Sequence, residues 1–369
     1  MPIVQLAERP GFDLGWGHPR PDLLPLAGWA RATTKALQTY GWQALTYGHP
    51  AGPAPLIEWL CERAGDTVPA QVFVTAGASH ALALVAEVLT QPGDVVLVDS
   101  PSYHLAFPIL ADRGVRLVRA PADDQGLDPA RLPRSGRAPL LYLVPTFANP
   151  TGRSLPDDRR RALADLARRG AVTIVEDDTY RDLAYDSPAP DSLWRLAGGR
   201  GVVRIGSFAK TVAPGLRLGW LSGDPGLVDR LSRLGYVHSG GGVNHTTALA
   251  MAAFGRDGDY DRHLARLRSA YREQRDALAG ALAEHGLPVE APGGGWFVWV
   301  PLPDGVSATR LLPVAERHGV SFVPGPQFYV DGAGGDDRVR LSFSRLPGPD
   351  LAAAAERLAA AVQAVIVSK

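Results

Sequence analysis

From about residue 70 to 255 the chain alternates short apolar runs with longer stretches of helical periodicity. VFVT (72–75), VVLVD (95–99), VRLVRA (115–120), LLYLV (140–144), VTIVED (172–177), VVRIG (202–206) and LRLGWL (216–221) have the length and composition of strands. DDRRRALADLARRG (157–170) spaces its apolar residues for one face of a helix. Nearly continuous apolar strands between amphipathic helices predict an α/β architecture, a mostly parallel sheet of seven strands covered by helices. LGWL, which precedes GDP, fits an antiparallel addition to that sheet.

After residue 258 the pattern changes. An Arg-studded helical stretch (259–286) is followed by the strand-like WFVWVPL (296–302), a helix at 307–318, VRLSFS (339–344) and an Ala-rich helix at 349–366. Helix and strand interleave less regularly here, which predicts a smaller α+β domain over 258–369 beside a large domain over 46–257. Residues 1–45 hold one helix and Pro/Gly-rich loops. They are expected to pack on the smaller domain or on a partner subunit.

The 369 residues suit about two domains. With 38 Lys+Arg against 38 Asp+Glu the formal charge is zero, which argues against nucleic acid or an anionic membrane as main partner. The single cysteine, Cys61, excludes an internal disulfide and a multi-cysteine metal site, and no HExxH spacing suggests a metal. MPIVQLAERPGF lacks the pattern of a secretory signal, and no apolar run is long enough to span a bilayer. A cytoplasmic protein is the expectation. GWGHPR (15–20) lacks the third glycine and the preceding strand of a dinucleotide fingerprint, and neither a P-loop nor a GxSxG elbow occurs.

Arginine carries almost all the positive charge: the chain has 35 arginines and three lysines, Lys35, Lys210 and Lys369. Lys210 stands mid-chain in SFAKTVAPGLRLGW (207–220). Ligands of open α/β sheets bind at the carboxyl ends of the strands, and five such ends carry polar or glycine-rich loops. Gly77, Ala78 and Ser79 open a helix and present backbone N–H groups to a phosphate. Tyr103 is placed to stack on a flat ligand. Asn149 sits in a turn set by Pro150 and Gly152. In EDDTY (176–180), Asp177 is spaced from Tyr180 to face a cationic ring nitrogen, whereas Glu176 and Asp178 are expected to be exposed acids of the strand end. Ser207 and Arg217 suit an anion, Arg through its planar fork of donors. A lysine in such a site has its pKa lowered by desolvation and neighbouring cations and forms imines. An arginine, always protonated, does not. A phosphate cradle, an aromatic stacker, a carboxylate and an imine-forming lysine are together the requirements of pyridoxal 5′-phosphate.

YGHPAG, NPTG, EDDTY, SFAKTVAPGLRLG, PGGGWFVW and FVPGPQFY followed by VRLSFS occur in family order. On these motifs the chain resembles the fold-type I pyridoxal-phosphate enzymes of the class I/II aminotransferase family. The similarity is to the branch of α-aminoadipate and kynurenine-type aminotransferases and the effector domains of MocR-like regulators. It runs from GWGHPRPDLLP (15–25) to VRLSFS (339–344). The resemblance implies that Lys210 holds the cofactor and moves the substrate proton, Asp177 pairs with the pyridinium, and Asn149 and Tyr180 bond the ring 3-oxygen. It implies stacking by Tyr103, and phosphate contacts from Gly77, Ala78, Ser79, Ser207 and Arg217. Tyr47 is expected to reach the phosphate from the other subunit of a homodimer. Arg340 would clamp the substrate α-carboxylate, chosen over Arg338 by the RLSFS string, with Asn149 beside the same substrate and Gly17 lying along it. His80 stands where the family often has glutamine. SGGGVNHTTALA (239–250) departs from the family pattern, and His245 within it reads as a surface hydrogen-bonding residue. Arg20 is a candidate for a distal carboxylate or a plain loop arginine, and Trp16 and Tyr329 are candidates for a side-chain pocket.

The implied reaction is ping-pong amino transfer between an L-α-amino acid and a 2-oxo acid. Elimination, cyclisation and oxidation share its early steps and are not separated from it by cofactor motifs. A regulator's ligand-sensing domain would need a DNA-binding module ahead of residue 15, and none fits there.

Overall fold

The computed structural model describes residues 11–133 and 139–367; the first ten residues and Lys369 lie outside these. Its centre is a seven-stranded sheet built from β1 (Val72–Thr75), β2 (Val95–Val98), β3 (Arg116–Arg119), β4 (Leu140–Leu143), β5 (Thr173–Asp177), β6 (Val202–Ser207) and β7 (Gly219–Ser222). The spatial order is β1-β7-β6-β5-β4-β2-β3. All neighbours pair in parallel except β7, which is antiparallel to both β1 and β6. The expected parallel sheet is present, with LGWL as its antiparallel member. The expected start of that strand at Leu216 is not. Pro214–Leu216 form a 3-10 turn and Arg217 takes φ +46°, so apolar composition here marked a turn.

The sheet is buried on both faces, and side chains alternate between them. Val96, Val98, Tyr142, Val175, Val203 and Ile205 face one core, against helices Ala54–Ala64 and Ala78–Leu89. Leu97, Leu141, Ile174 and Val202 face the other, against helix Asp157–Arg168. The same alternation divides the acids of β5. Asp177 shares the face of Val175, and Glu176 that of Ile174. Glu176 is fully buried and accepts the backbone N–H groups of Leu193 (2.8 Å) and Trp194 (2.9 Å) at a helix start. Asp178 is buried and paired with Arg181. Neither is the exposed strand-end acid that the sequence suggested. The helices covering the sheet bury both, and each has a donor to offset the burial.

Beyond residue 258, helices Asp259–Glu284 and Gly348–Val367 pack together beside an antiparallel sheet. That sheet comprises β8 (Phe297–Pro301), β9 (Val323–Pro324) and β10 (Arg338–Ser342), in the order β8-β10-β9. Phe12–Asp13 pairs in parallel with Val320–Ser321, which ties the N-terminal segment to this region. Helix Leu26–Tyr40, by contrast, packs on helix His245–Arg256 through Trp29, Ala36, Leu249, Ala250 and Phe254. Leu14, His18 and Arg20 bond Ser342 and Ser344 of the smaller region as well, and the helix reaches that region through Arg31 and Asp259 at 3.4 Å, while its small residues match the Ala-rich face of 245–256. No helix among the described residues is long and apolar enough to cross a membrane.

Candidate active site

The carboxyl ends of β1, β2, β4, β5 and β6 converge, and the β8–β10 sheet closes over them. Lys210 follows β6 in a tight turn. Its Nζ lies 4.6 Å from the centre of the Trp296 ring and 5.8 Å from that of Tyr180. Burial among these rings pushes the amine down to about 8; the Arg340 and Arg217 cations act in the same direction and Asp177 opposes them. No carboxylate among the described residues pairs with Lys210 at ion-pair distance.

Asp177, at the end of β5, is 7% exposed and accepts the Tyr142 hydroxyl of β4 at 2.8 Å. Its Oδ1 is buried with no hydrogen-bond partner. Burial raises its carboxyl above the ordinary range; the Tyr142 bond and, after it, the nearby hydroxyl and N–H of Thr179 lower it in part. Tyr180, three residues on, is buried edge-on against Trp296 and Phe297, with its hydroxyl held well above the ordinary value by burial. Tyr103 follows β2, and burial pushes its hydroxyl up to about 12.

Arg340, on β10, is 4% exposed and has no carboxylate partner among the described residues. Its guanidinium carbon lies 4.2 Å from the Phe297 ring centre and 4.9 Å from that of Phe328. Nη1 donates to Asn149 Oδ1 at 3.0 Å, Nη2 donates to the Gly15 carbonyl, and Nε has no partner. Burial pushes Arg340 down to about 10. Arg338, two residues earlier, sits at the rim beside Asp337 at 3.3 Å. Gly17 approaches so closely that a Cβ on it would stand 2.8 Å from Phe297 Cζ.

Gly77 (φ +96°) starts helix Ala78–Leu89 with no side-chain cap, which leaves the first N–H groups of the helix free of intrahelical partners. Arg217 lies beside it, exposed and without an ion pair among the described residues. Its Nη2 is 3.3 Å from the Ala76 carbonyl. Ser207, at the end of β6, is buried and accepts the Ala209 N–H at 3.1 Å. Among the described residues the non-glycines with positive φ are Phe147 (+47°) and Arg217 (+46°), both in loops of this cleft. Such conformations cost about 1–3 kcal/mol and persist where surrounding contacts impose them. Phe147 is held by the PGGGW segment: a Cβ on Gly294 would stand 2.5 Å from its ring. That packing delivers Trp296 to Lys210 and Phe297 to Arg340.

The chain thus brings together Lys210, Asp177, Tyr180, Tyr103, Asn149, Arg340, Gly17, Ser207, Arg217 and the turn Gly77–Ser79. Tyr47 stays apart from them, 85% exposed beside Gly240. Arg20 is engaged by Asp22 through two bonds of 2.6 and 3.0 Å, and so presents no free fork to a distal carboxylate. Trp16 lies 5.7 Å from the His18 ring, while Tyr329 lies under the Arg119 guanidinium at 4.9 Å. The departing segment 239–250 is structural: Asn244 caps helix His245–Arg256 and Thr246 donates to the Ala44 carbonyl at 2.7 Å. His245 Nε2 meets the Gln43 carbonyl at 3.1 Å, the hydrogen-bonding part the sequence suggested.

Sequence reasoning missed Tyr142, which reads as one more apolar strand residue. It also missed Asp13, whose Oδ1 accepts from the Gly15 N–H (2.8 Å) and Ser321 Oγ (3.0 Å) and so fixes the carbonyl that Arg340 uses. The available signal was slight, an acid directly after Phe12 and two residues before Gly15. A cavity of about 340 Å³, lined by Trp59, Arg63, Asp178, Arg204, Trp220 and Tyr260 among others, extends to Ser207.

The site fits pyridoxal 5′-phosphate group by group. Asp177 Oδ1 awaits a donor such as a ring N–H, Lys210 is a desolvated amine, and Arg217 and the helix start offer donors to a phosphate. Comparison with known proteins agrees. The family model of aminotransferase class I and II matches residues 10–358. The 2-aminoadipate transaminase of Thermus thermophilus is 34% identical over 378 residues, covering 99% of this chain and 93% of that protein. LysN, an α-aminoadipate aminotransferase of Thermus thermophilus solved with N-(5′-phosphopyridoxyl)-L-leucine, superposes with a TM-score of 0.87 at 32% identity, covering 97% of this chain and 94% of that one. Pyrococcus horikoshii kynurenine aminotransferase, solved with PMP, superposes with a TM-score of 0.88 at 30% identity, covering 96% and 91%. The chain therefore belongs to the class I and II aminotransferases and is a fold-type I, pyridoxal-phosphate-dependent transaminase.

Proposed function

We propose that this enzyme exchanges the amino group between an L-α-amino acid and a 2-oxo acid in two half-reactions through one site, with ping-pong kinetics. The observation that carries this reading is one cleft holding the half-buried amine of Lys210 and the buried guanidinium of Arg340, neither with a carboxylate partner among the described residues, opposite the unpartnered carboxylate oxygen of Asp177. Bound there, pyridoxal phosphate supplies an electron sink for the charge left when the substrate Cα–H is broken.

The residues of the chain do the rest. Asp177 Oδ1 holds a proton on the ring nitrogen, and Tyr142 keeps that carboxylate oriented. Tyr103 stacks on the ring. Asn149, its Oδ1 engaged by Arg340, turns its Nδ2 donor to the ring oxygen together with the Tyr180 hydroxyl. Ser207, Arg217 and the N–H groups after Gly77 hold the phosphate. Arg340 takes the α-carboxylate of amino acid and oxo acid alike, since the α-carboxylate is common to both. Held over the Trp296 and Tyr180 rings, Lys210 Nζ takes the Cα proton; the pKa lowered to about 8 leaves half of the amine neutral at that pH and most of it above, as a base requires.

Residues 46–257 form the unit that holds the cofactor, and 258–369 the smaller unit that brings Arg340. The working form is a cytoplasmic homodimer. Trp42 (76% exposed), Leu45 (74%) and Tyr47 (85%) are exposed apolar side chains in the segment that follows helix Leu26–Tyr40, and a second subunit on them would place Tyr47 at the neighbouring phosphate. Relatives named for aminoadipate and kynurenine make dicarboxylic and aromatic amino acids the first donors to screen. The test is a visible absorption spectrum of the purified protein. Its cofactor band should be lost on adding an amino acid without acceptor and restored by a 2-oxo acid. Release of ammonia or peroxide instead would refute amino transfer.

A further inference from the structure

We propose that His80 is a positioning residue for the cofactor phosphate: its imidazole, as a hydrogen-bond acceptor, holds the Thr75–Gly77 turn in the shape that aims the N–H groups of Ala78 and Ser79 at the anion. The inference rests on that turn being the phosphate seat.

A helix start is ordinarily held by the side chain of its N-cap, which takes one of the free N–H groups for itself. Gly77 occupies that position at φ +96°, and a Cβ there would stand 3.0 Å from Arg217 Nη2. The turn is held from outside instead. His80 Nδ1 accepts the Ala76 N–H at 3.0 Å, Arg217 Nη2 donates to the Ala76 carbonyl at 3.3 Å, and Thr75 Oγ1 donates to the Gly77 carbonyl at 3.1 Å. Both ends of residue 76 are therefore clamped, one by the cation that faces the phosphate and the other by His80.

His80 is the third residue of the helix, from which Glu or Gln often reaches back to the residues before the first turn. A glutamate here would set a carboxylate beside a phosphate. A neutral imidazole accepts the same bond without charge. Because Nδ1 accepts, the ring proton is on Nε2, which is buried without a partner. Burial and the Arg217 cation hold the imidazole below its ordinary pKa, in the accepting form. Tyr236 stands edge-on to the ring at 6.1 Å. Protonation of Nδ1 would set a donor against the Ala76 N–H and release the turn.

The experiment measures cofactor release from the holoenzyme by its absorbance, for wild type, His80→Gln and His80→Leu, across about pH 4.5–7.5, from about two units below the ordinary imidazole pKa, because the folded value is lowered, to about one unit above it. Leu removes the acceptor and should speed release about tenfold, the worth of one buried neutral hydrogen bond. Gln keeps an acceptor and should stay within about threefold of wild type. Release from wild type should quicken as pH falls below the ordinary imidazole range, more steeply than from His80→Gln. Release from His80→Leu as slow as wild type overturns the proposal, and so do parallel pH profiles for wild type and His80→Gln, which decide the matter even where the Leu variant does not fold. A wild-type chain that takes up no cofactor overturns the proposed function and this inference with it.

Discussion

Replacing Lys210 by methionine should abolish turnover and, at neutral pH, stabilise the cofactor-free protein. The amine is pushed down from 10.5 to about 8 in the fold. A lysine with a lower pKa folded than unfolded penalises the folded state wherever it is charged in both. Each pH unit is worth about 1.36 kcal/mol, so the penalty is about 3 kcal/mol below pH 8. It shrinks between pH 8 and 10.5, as the folded protein releases its proton first, and is gone above 10.5. Methionine has a similar length and no charge to desolvate. Denaturant unfolding of both cofactor-free proteins should show a gap of about 3 kcal/mol at pH 7 and about 1.4 kcal/mol at pH 9.5. A gap equal at both pH values would assign the gain to packing, and no gap at pH 7 would mean that Lys210 is not desolvated. Either result refutes the argument that burial prepares this amine as a base.

Arg340→Gln should lower kcat/KM for the amino-acid half-reaction about 10²–10³-fold, since truncating one member of a buried charge pair costs about 2–5 kcal/mol. Amines lacking a carboxylate should lose almost nothing, and equal losses for both would remove Arg340 from the carboxylate site. Tyr142→Phe leaves Asp177 Oδ2 without its donor, a cost of about 1–3 kcal/mol, and should raise the cofactor dissociation constant in spectrophotometric titration; an unchanged constant contradicts the orienting role of Tyr142. Trp42→Asp, among those exposed apolar side chains, should shift sedimentation toward monomer, and a dimer of undiminished stability would move the interface elsewhere.

Much of this was legible in the chain. The strands could be read because each is buried on both sides, and a strand so placed must be apolar along its length. The family could be read because Lys210, Asn149, Asp177 and Arg217 sit in strings whose glycines and prolines set loop shape as well as residue type. The failures share a cause. Leu216 and Leu218 suggested a strand through Arg217, yet Pro214 and Gly215 turn the chain there and packing holds the arginine left-handed. Glu176 and Asp178 looked like exposed acids, because nothing local shows that a helix start and Arg181 will meet them. Tyr142 looked like core, and its hydroxyl gains meaning only through Asp177, 35 residues away.

The sequence by itself determined the class of chemistry. An imine needs a lysine and a phosphate needs donors at a helix start, and residue type with local spacing specifies both. The tertiary structure decided which of several chemically equal residues meet in the cleft. Asp177 faces Lys210 and Glu176 does not, because side chains alternate along β5 and only one face opens on the cleft. Arg340 remains a free cation and Arg338 does not, because one is sealed between Phe297 and Phe328 and the other meets Asp337 at the rim. Burial and long-range pairing set each group's charge and orientation, and neither is a property of the residues next to it in the chain.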